Sequence, residues 1–479
     1  MNIPGLLFVL VMQFLAGRGT ISMFRIKQPL PDQFLLSNII GVVLFCLVPV
    51  LLQMLYIPIT TTSVVLCILL LTCVLFVPQV RKLNYAALRG YRPAKPPVYE
   101  IGFILLFIFL MLPSIWNCYL LPPNARDMLI GPEPLAEFTV REHTMINSIF
   151  TVDLTYTNNH LKPPFVAGLQ IVYKLLVQPF GQVWLSVLVV NFLVWLYLLM
   201  RRHMHGLPAG ILMLFFIAMP DPYGYTYMML FDYANMVLFF AGFYFLLKYT
   251  DAGQYNVLLF AAFLFGLATI IRSETVVLIA MLLPVLLYAF YREQLRPLKT
   301  IIRVVLFLTF PFFFYYLWMG IFVKYYFPVS FDVSEQLRLS PASIMVFFTR
   351  IKEIAVILLF SETATRLYGL MNYLFALVLI ADCIFIRKFS RRALLILYGI
   401  AVVYVGMAIL GAIIPWFDVM NTSKRGIYKM FPLMMLYYCN SGVVARLSAA
   451  IRRFEFPQMS MQAKPVRAAS DNRQTKRKK

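Results

Sequence analysis

Long apolar runs alternate with short polar segments along most of this chain. Runs near 20 residues recur, and a helix of about that length crosses about 30 Å of hydrocarbon. The pattern therefore predicts an all-α polytopic membrane protein with about thirteen transmembrane helices. The candidate spans are residues 4–17, 37–57, 61–80, 101–121, 181–200, 207–220, 229–249, 256–271, 275–291, 303–323, 366–386, 393–413 and 430–447.

Basic clusters give these helices an orientation. If the spans cross the bilayer in this order, six basic segments lie on the same face. The positive-inside rule predicts that this face is cytoplasmic. The opposite, extracytoplasmic face receives the long loops at 122–180 and about 324–365. Amphipathic helices are expected in these loops, one within 132–150 and another near 339–360. The basic segments are residues 24–27, 81–95, 201–205, 292–299, 387–392 and the tail from 464 onward.

Composition supports this class and disfavours another. The 479 residues are 61% hydrophobic and 13% charged, whereas about a quarter of the residues in a soluble protein are charged. A net charge of +22 would suggest nucleic-acid binding in a soluble chain, but here the cytoplasmic loops and tail account for it. We therefore expect the lipid bilayer as a partner, and no nucleic acid.

The spacing of the spans divides the chain into three parts. Residues 1–98 are predicted to form an N-terminal membrane extension of about three helices and a basic linker. Residues 99–450 are predicted to form the transmembrane core. Residues 451–479 are predicted to be a disordered cytoplasmic tail, whose basic residues are attracted to anionic lipids.

Acidic residues begin the first extracytoplasmic loop. Asp127, Glu133 and Glu137 lie before and within the predicted amphipathic helix. Carboxylates in the first turn of a helix often do no more than balance the helix dipole. They are also candidates for chemistry, because a carboxylate within hydrogen-bond reach of a hydroxyl group can act as a general base.

A lysine precedes two prolines at the end of the same loop, in the segment "HLKPPF" at 160–165. Proline lacks a backbone donor and disfavours helix in the residue before it, so Lys162 is expected on extended chain where the next helix begins. A lysine at the lipid–water boundary can serve as an anchor that reaches to the headgroups. It can equally serve as a fixed cation for a lipid phosphate.

These features resemble the GT-C superfamily of membrane glycosyltransferases, in particular lipid A aminoarabinose transferases and bacterial protein O-mannosyltransferase-like enzymes. The resemblance covers about residues 100–440, with its motifs in the family's order and on one side of the membrane. It implies a GT-C type helical bundle in a bacterial inner membrane, with its active site on the periplasmic face. The segments are "LAEFTVRE" (135–142), "KPP" (162–164), "GYTYMMLFDYANMVLFF" (224–240), "LFGLATIIRSETVVLIAMLLPVLL" (264–287) and "NTSKRGIYKMFPLMML" (421–436).

The resemblance also implies an activity. A sugar would move from a polyprenyl-phosphate donor to a lipid, glycan or protein acceptor, with inversion at the anomeric carbon. Negative charge grows on the donor phosphate as the glycosidic bond breaks, so fixed cations are needed beside it. The candidates for this role are Lys162, Arg272, Lys424 and Arg425.

A carboxylate is needed to take the proton of the acceptor hydroxyl. Glu133 is the first choice for this base and Asp127 the second, with Asp232 positioning the base or coupling to it. Glu137 and His160 are further candidates for the site.

Metal dependence stays open in the sequence. Relatives often have a metal-binding glutamate directly before the lysine of "KPP", where this chain has Leu161 with His160 beside it. A divalent metal ion is therefore an open alternative, and no other cofactor is indicated.

Two other classes of function compete with the transferase. A transporter or flippase, or a polymerase or ligase, of lipid-linked saccharides would also be polytopic. A transporter is expected to have internal repeats, broken helices and polar residues near the middle of the membrane. This chain concentrates its unusual polar residues at the outer ends of helices instead, which favours the transferase. A membrane scaffold without catalysis is the third alternative.

Overall fold

The computed structural model describes residues 2–82, 96–151, 162–177, 182–328, 342–414 and 417–455, and every regular element within them is helical. The all-α fold class is therefore confirmed for this part of the chain. The predicted tail from 456 onward, residues 83–95 of the basic linker and His160 lie outside the described residues. The helices are α1 (Ile3–Met23), α2 (Leu30–Phe45), α3 (Leu47–Met54), α4 (Thr61–Phe76), α5 (Val98–Leu120), α6 (Arg126–Leu129), α7 (Pro132–Glu142), α8 (Phe165–Leu176), α9 (Val183–His203), α10 (Gly206–Ile217), α11 (Pro220–Gly224), α12 (Phe231–Ala252), α13 (Tyr255–Ile271), α14 (Thr275–Met281), α15 (Leu283–Arg292), α16 (Pro297–Tyr315), α17 (Ala342–Glu353), α18 (Glu362–Tyr368), α19 (Met371–Ala381), α20 (Arg391–Ile413), α21 (Met430–Tyr438) and α22 (Gly442–Glu455).

Eight helical stretches in the described ranges are long and apolar enough to cross a membrane, and a ninth counts if the bent pair α18–α19 is one span. The polytopic membrane class is therefore confirmed, while the count of thirteen stays a prediction. Two predicted spans, 207–220 and 256–271, correspond to the shorter helices α10 and α13. The eight stretches are Ile3–Met23, Leu30–Met54, Thr61–Val80, Val98–Leu120, Val183–His203, Thr275–Arg292, Pro297–Tyr326 and Arg391–Ile413.

The last predicted span, residues 430–447, is wrong as a single helix. α21 ends at Tyr438, and α22 begins at Gly442. The side chain of Ser441 accepts a hydrogen bond from the backbone N–H of Val444 at 3.2 Å, as a residue at a helix N-terminus does. A new helix therefore starts inside the apolar run.

α12 is a long helix that is buried inside the bundle. Nearly all of its residues are buried, it packs along α13, and α13 packs along α16. Aromatic contacts fill the space between α12 and α9, where the rings of Phe192 and Phe240 meet edge to face at 5.8 Å. A helix of 22 residues is about 33 Å long, so the two ends of α12 lie about that far apart.

The C-terminal end of α12 gathers three of the basic segments, those at 24–27, 201–205 and 387–392. This arrangement agrees with the expectation that the basic segments share one face. We call this end of the molecule the basic end. The contacts there are Arg202 with Asp32, Lys248 with Gln28, Arg392 with Asp251, and Asn256 with the backbone carbonyl group of Phe24.

The N-terminal helices pack directly on the rest of the bundle. α1 and α2 cross so closely that a Cβ atom on Gly17 would collide with the carbonyl oxygen of Ser37. Small residues allow such backbone approach between membrane helices. α2 in turn packs along α9, where the Asn38 side chain donates a hydrogen bond to Asn191 at 3.0 Å. Helices before residue 98 therefore pack on helices of the predicted core, and the division of the chain at that residue stays a prediction.

Candidate active site

The N-terminal end of α12, opposite the basic end, holds a group of charged side chains from five separate segments. Each contributing residue lies near the end of a helix or just beyond it. We call this group the aspartate cluster. Its members are Asp127 on α6, Lys162 before α8, Asp232 at the start of α12, Arg272 after α13 and Arg425 before α21.

Prolines keep two of these residues outside the long helices. Pro132 begins α7, so the helix α6 that carries Asp127 is a separate turn of only four residues. Pro163 and Pro164 precede α8, which begins at Phe165. The prediction that Lys162 stands just before a helix is therefore confirmed.

Arg425 links the two aspartates. Its Nη1 atom lies 2.6 Å from Oδ2 of Asp127 and 3.9 Å from Oδ2 of Asp232. Its Nε–H donates to the backbone carbonyl group of Asn421 at 2.8 Å, which fixes the guanidinium group. The Nζ atom of Lys162 lies 3.9 Å from Oδ2 of Asp127, so this carboxylate is shared by two cations.

Asp232 is the buried member of the cluster. Its side chain is 1% exposed and forms an ion pair with Arg272, which also pairs with Glu274. The Oδ2 atom of Asp232 has no hydrogen-bond partner among the described residues. A buried carboxylate oxygen without a donor costs free energy, so it marks a position that a ligand hydroxyl group can satisfy.

The charges of the cluster shift one another's pKa values. Burial by itself would raise the pKa of Asp127, but Lys162 and Arg425 lower it below its usual value. Burial lowers the pKa of Lys162 to about 8, and Asp127 only partly opposes this shift. Burial also disfavours the charged form of Arg425, yet Asp232 and Asp127 together raise its pKa. At neutral pH, Asp127 is therefore an ionised carboxylate that can accept a proton.

A fourth cation, Lys429, lies next to the cluster and is absent from the sequence-based candidates. Its side chain is 1% exposed, and its ammonium group makes no hydrogen bond or ion pair with any described residue. Arg272, Glu274 and Asp232 are the charges that act on it. Its spacing of four from Arg425 is the signal that could have identified it, because residues four apart share a helix face.

The structure does not bring Lys424 into the cluster. Its Nζ atom lies 3.2 Å from Oδ1 of Asp221 on α11, and the hydroxyl group of Tyr428 donates to the same carboxylate. The ring of Tyr428 also packs edge to face against Tyr225, with 5.1 Å between centroids. Lys424 and Arg425 are adjacent in sequence but bind different aspartates, Asp221 and Asp127.

Glu133 and Glu137 form a second group of charges, away from the aspartate cluster. Both glutamates, on α7, pair with Lys174 on α8, at 2.7 Å and 3.0 Å. Gln170 donates to Glu133 at 2.7 Å and accepts a hydrogen bond from the Trp184 indole at 2.9 Å. We call these five residues the glutamate clamp, because they fasten α7 to α8.

The clamp changes the choice between the predicted bases. Glu133 makes no ion pair or hydrogen bond with Lys162 or Asp232 in the described part of the chain, and its two oxygen atoms bind Lys174 and Gln170. Asp127, the second choice in the sequence, is the carboxylate that lies beside Lys162. The amphipathic helix that carries Glu133 lies within the predicted range and ends at Glu142, before His143 adopts a left-handed φ of 60°.

The N-terminal helices hold the loop that carries Asp127. Gln53 on α3 accepts hydrogen bonds from the backbone N–H of Met145, at 2.7 Å, and from the Thr144 hydroxyl group, at 2.9 Å. The backbone N–H of Ile59 donates to the carbonyl group of His143 at 2.7 Å. Residues 1–98 therefore help to position the loop of the candidate site.

The arrangement can bind an anion and accept a proton. Within the described ranges, no group of three histidine, cysteine, aspartate or glutamate side chains is placed to hold a metal ion. His160, which the sequence offers as a ligand, lies outside those ranges. The chemistry available on the described chain is that of carboxylates set among lysine and arginine side chains.

Comparison with protein-family models, with curated proteins and with solved structures gives no match for this chain.

Proposed function

We propose that this protein is an integral-membrane glycosyltransferase that moves a sugar from a polyprenyl-phosphate donor to a hydroxyl-bearing acceptor. The observation that supports it best is the aspartate cluster, where Asp127 lies 3.9 Å from Lys162 and 2.6 Å from Arg425 at the face opposite the basic end. A base and phosphate-binding cations are the two requirements of this reaction. The resemblance of the motifs to the GT-C superfamily supports the same reading.

In this proposal Asp127 is the base. The acceptor oxygen attacks the anomeric carbon, its proton passes to Asp127, and the bond from that carbon to the phosphate oxygen breaks. The electron pair of that bond stays on the phosphate, and polyprenyl phosphate leaves. A single direct displacement inverts the anomeric centre.

The cations act on the phosphate. Lys162 and Arg425 lie beside Asp127 and can hold the phosphate close to the base. Arg272 pairs with Asp232 and holds it in place, and the Oδ2 atom of Asp232, which has no donor among the described residues, is available to the acceptor or the sugar. Preorganised charges of this kind stabilise the charge that develops in the transition state.

The side of the membrane on which the aspartate cluster lies is also part of the proposal. If the basic end faces the cytoplasm, as the positive-inside rule favours, the aspartate cluster opens on the extracytoplasmic side. In a bacterium this is the periplasmic face of the inner membrane. The acceptor is then a lipid, a glycan or a protein exposed on that face.

The test is transfer itself. The purified protein is incubated in bilayer nanodiscs with polyprenyl-phosphate sugars, and release of polyprenyl phosphate is measured with and without candidate acceptors. We expect acceptor-dependent release in the wild type and none above background in Asp127→Asn. Release that is equal in both proteins would remove Asp127 from the mechanism.

One observation favours a second candidate, a transporter or flippase of lipid-linked saccharides. The axes of α18 and α19 are bent by 103° at a short break, where Gly369 has a positive φ of 59°. Broken helices are typical of transporters. Movement of a labelled donor across vesicles without cleavage of its glycosidic bond would support this candidate, and bond cleavage would support the transferase.

A further inference from the structure

Lys429 is a buried cation beside the aspartate cluster. Its side chain is 1% exposed, and its ammonium group has no ion-pair or hydrogen-bond partner there. A buried ammonium group is costly unless an anion accompanies it. A lysine that only filled space would be less costly as methionine, so the charge itself requires an explanation.

The carboxylates near Lys429 are already engaged. Asp232 and Glu274 both pair with Arg272, which stands between them. Asp127 pairs with Arg425. Lys429 therefore adds a positive charge to a site whose carboxylates have other partners, and an additional anion would complete it.

A count of formal charges gives the charge that this anion needs to neutralise the site. Lys162, Arg272, Arg425 and Lys429 supply four positive charges, and Asp127, Asp232 and Glu274 supply three negative ones. The difference, 4 − 3, is one positive charge. A sugar linked to a polyprenyl monophosphate is a phosphodiester with one negative charge, whereas a diphosphate-linked sugar carries two.

We propose that Lys429 contacts the phosphate group of the donor and holds the negative charge that this group gains as the sugar departs. The inference rests on the proposed function and adds a residue to it. When the acceptor proton moves to Asp127, the net charge of the site rises from one to two. In the same step the phosphodiester becomes a phosphate monoester with about two negative charges. The positive charge of the site therefore equals the negative charge of the phosphate group, both before and after transfer, only if Lys429 is charged.

Burial first and Arg272 second lower the pKa of Lys429 to about 8, against the opposite effects of Glu274 and Asp232. The ammonium form therefore still predominates at neutral pH. A phosphate beside it would favour the charged form and raise this pKa.

The test separates the charge of Lys429 from its packing. Wild type, Lys429→Met and Lys429→Arg are reconstituted in nanodiscs and titrated with farnesyl phosphate, a short polyprenyl monophosphate, and with farnesol, its neutral counterpart. Lys352→Met, which removes an exposed lysine on α17, is the control. We expect Lys429→Met to bind farnesyl phosphate about tenfold more weakly, equivalent to about 1.4 kcal/mol, with farnesol binding unchanged. Lys429→Arg and the control are expected to stay within about threefold of wild type.

Thermal unfolding distinguishes this role from a structural one. Removing an uncompensated buried charge should leave the unfolding midpoint of Lys429→Met equal to or above that of the wild type. A midpoint lowered by several degrees, with both ligands lost, would mean that Lys429 only balances Glu274 and Asp232, and the inference would fail. Unchanged farnesyl phosphate binding in a folded Lys429→Met protein would also overturn it.

The same measurements distinguish failure of the role of Lys429 from failure of the proposed function. If the wild type transfers sugar and prefers farnesyl phosphate to farnesol while Lys429→Met does the same, only the role of Lys429 is rejected. If the wild type neither transfers sugar nor prefers the phosphate, the proposed function is rejected and the inference with it.

Discussion

The aspartate cluster and the glutamate clamp use the same kinds of side chain and begin six residues apart, yet their chemical states differ. In the clamp, Lys174 is 7% exposed and lies between two carboxylates, and both oxygen atoms of Glu133 have donors. In the cluster, one oxygen atom of Asp232 has no donor among the described residues, and Lys429 beside it has no partner there. The clamp is complete without a ligand and the cluster is not.

This difference teaches how to separate structural charges from functional ones. A satisfied ion-pair network stabilises one arrangement of helices, which is what fastening α7 to α8 requires. An incomplete network costs stability, and it is retained where a ligand completes it. Acidity and position in a loop do not distinguish Glu133 from Asp127, but the number of their satisfied hydrogen bonds does.

The largest expected effect is on catalysis in Asp127→Asn. Loss of the general base should lower the transfer rate by about 10²–10⁴-fold, because asparagine cannot take the acceptor proton. The rate is measured as polyprenyl phosphate released from a polyprenyl-phosphate sugar in nanodiscs. Glu133→Gln is the matched variant, and we expect it to retain more than about a tenth of the activity where it is folded. The reverse ranking would restore Glu133 as the base and make Asp127 the structural residue.

The next largest effect is on stability in Lys174→Met. This change leaves Glu133 and Glu137 without the cation that they share, and removing one partner of a buried ion pair costs about 3–5 kcal/mol. We expect an unfolding midpoint well below that of the wild type, measured by denaturation in detergent micelles. The double variant Glu133→Gln with Lys174→Met should recover part of the loss, because the two changes remove one interaction. Equal losses in the single and double variants would mean that the clamp does not hold α7 on α8.

The sequence predicts the class of the fold because membrane helices leave a strong, continuous apolar signal. It also predicts most of the cluster. The prolines after Lys162 fix that residue outside a helix, and an acid near the start of an apolar helix identifies Asp232 as unusual.

The sequence does not determine which acidic side chain pairs with which basic one. Glu133 ranks before Asp127 as the base until the register of α7 against α8 directs Glu133 to Lys174. Lys174 itself was a signal, because a lysine inside the apolar segment "FVAGLQIVYKLL" needs an acidic partner. Lys424 and Arg425 likewise diverge only when residues 419–429 fold into short helical segments that direct them to different aspartates.

A smaller effect is expected on the pH dependence of phosphate binding. The pKa of Lys162 is lowered by burial to about 8, so its ammonium form is present below that pH and is lost above it. Affinity for farnesyl phosphate should therefore fall as the pH rises from about 8 to 9.5, with the midpoint shifted upward where the bound phosphate stabilises the cation.

Lys162→Arg is the variant that tests this assignment. Arginine stays charged over the whole range, so the decline should become shallower in this variant. Lys429 titrates in the same range, and Lys429→Met with Lys162→Arg should show almost no dependence on pH. An unchanged decline in the double variant would assign it to another group.

The smallest effect is expected in Lys424→Met, and it sharpens the contrast between neighbouring cations. Lys424 pairs with Asp221 at 3.2 Å, and the Tyr428 hydroxyl group still donates to Asp221 after the substitution. We expect a loss of about 1 kcal/mol in stability and affinity for farnesyl phosphate within about twofold of wild type. Arg425→Gln is the comparison, and it should weaken this affinity at least about tenfold because Arg425 lies 2.6 Å from Asp127 inside the cluster. A stronger loss of phosphate binding in Lys424→Met than in Arg425→Gln would move the anion site from Asp127 toward Asp221 on α11.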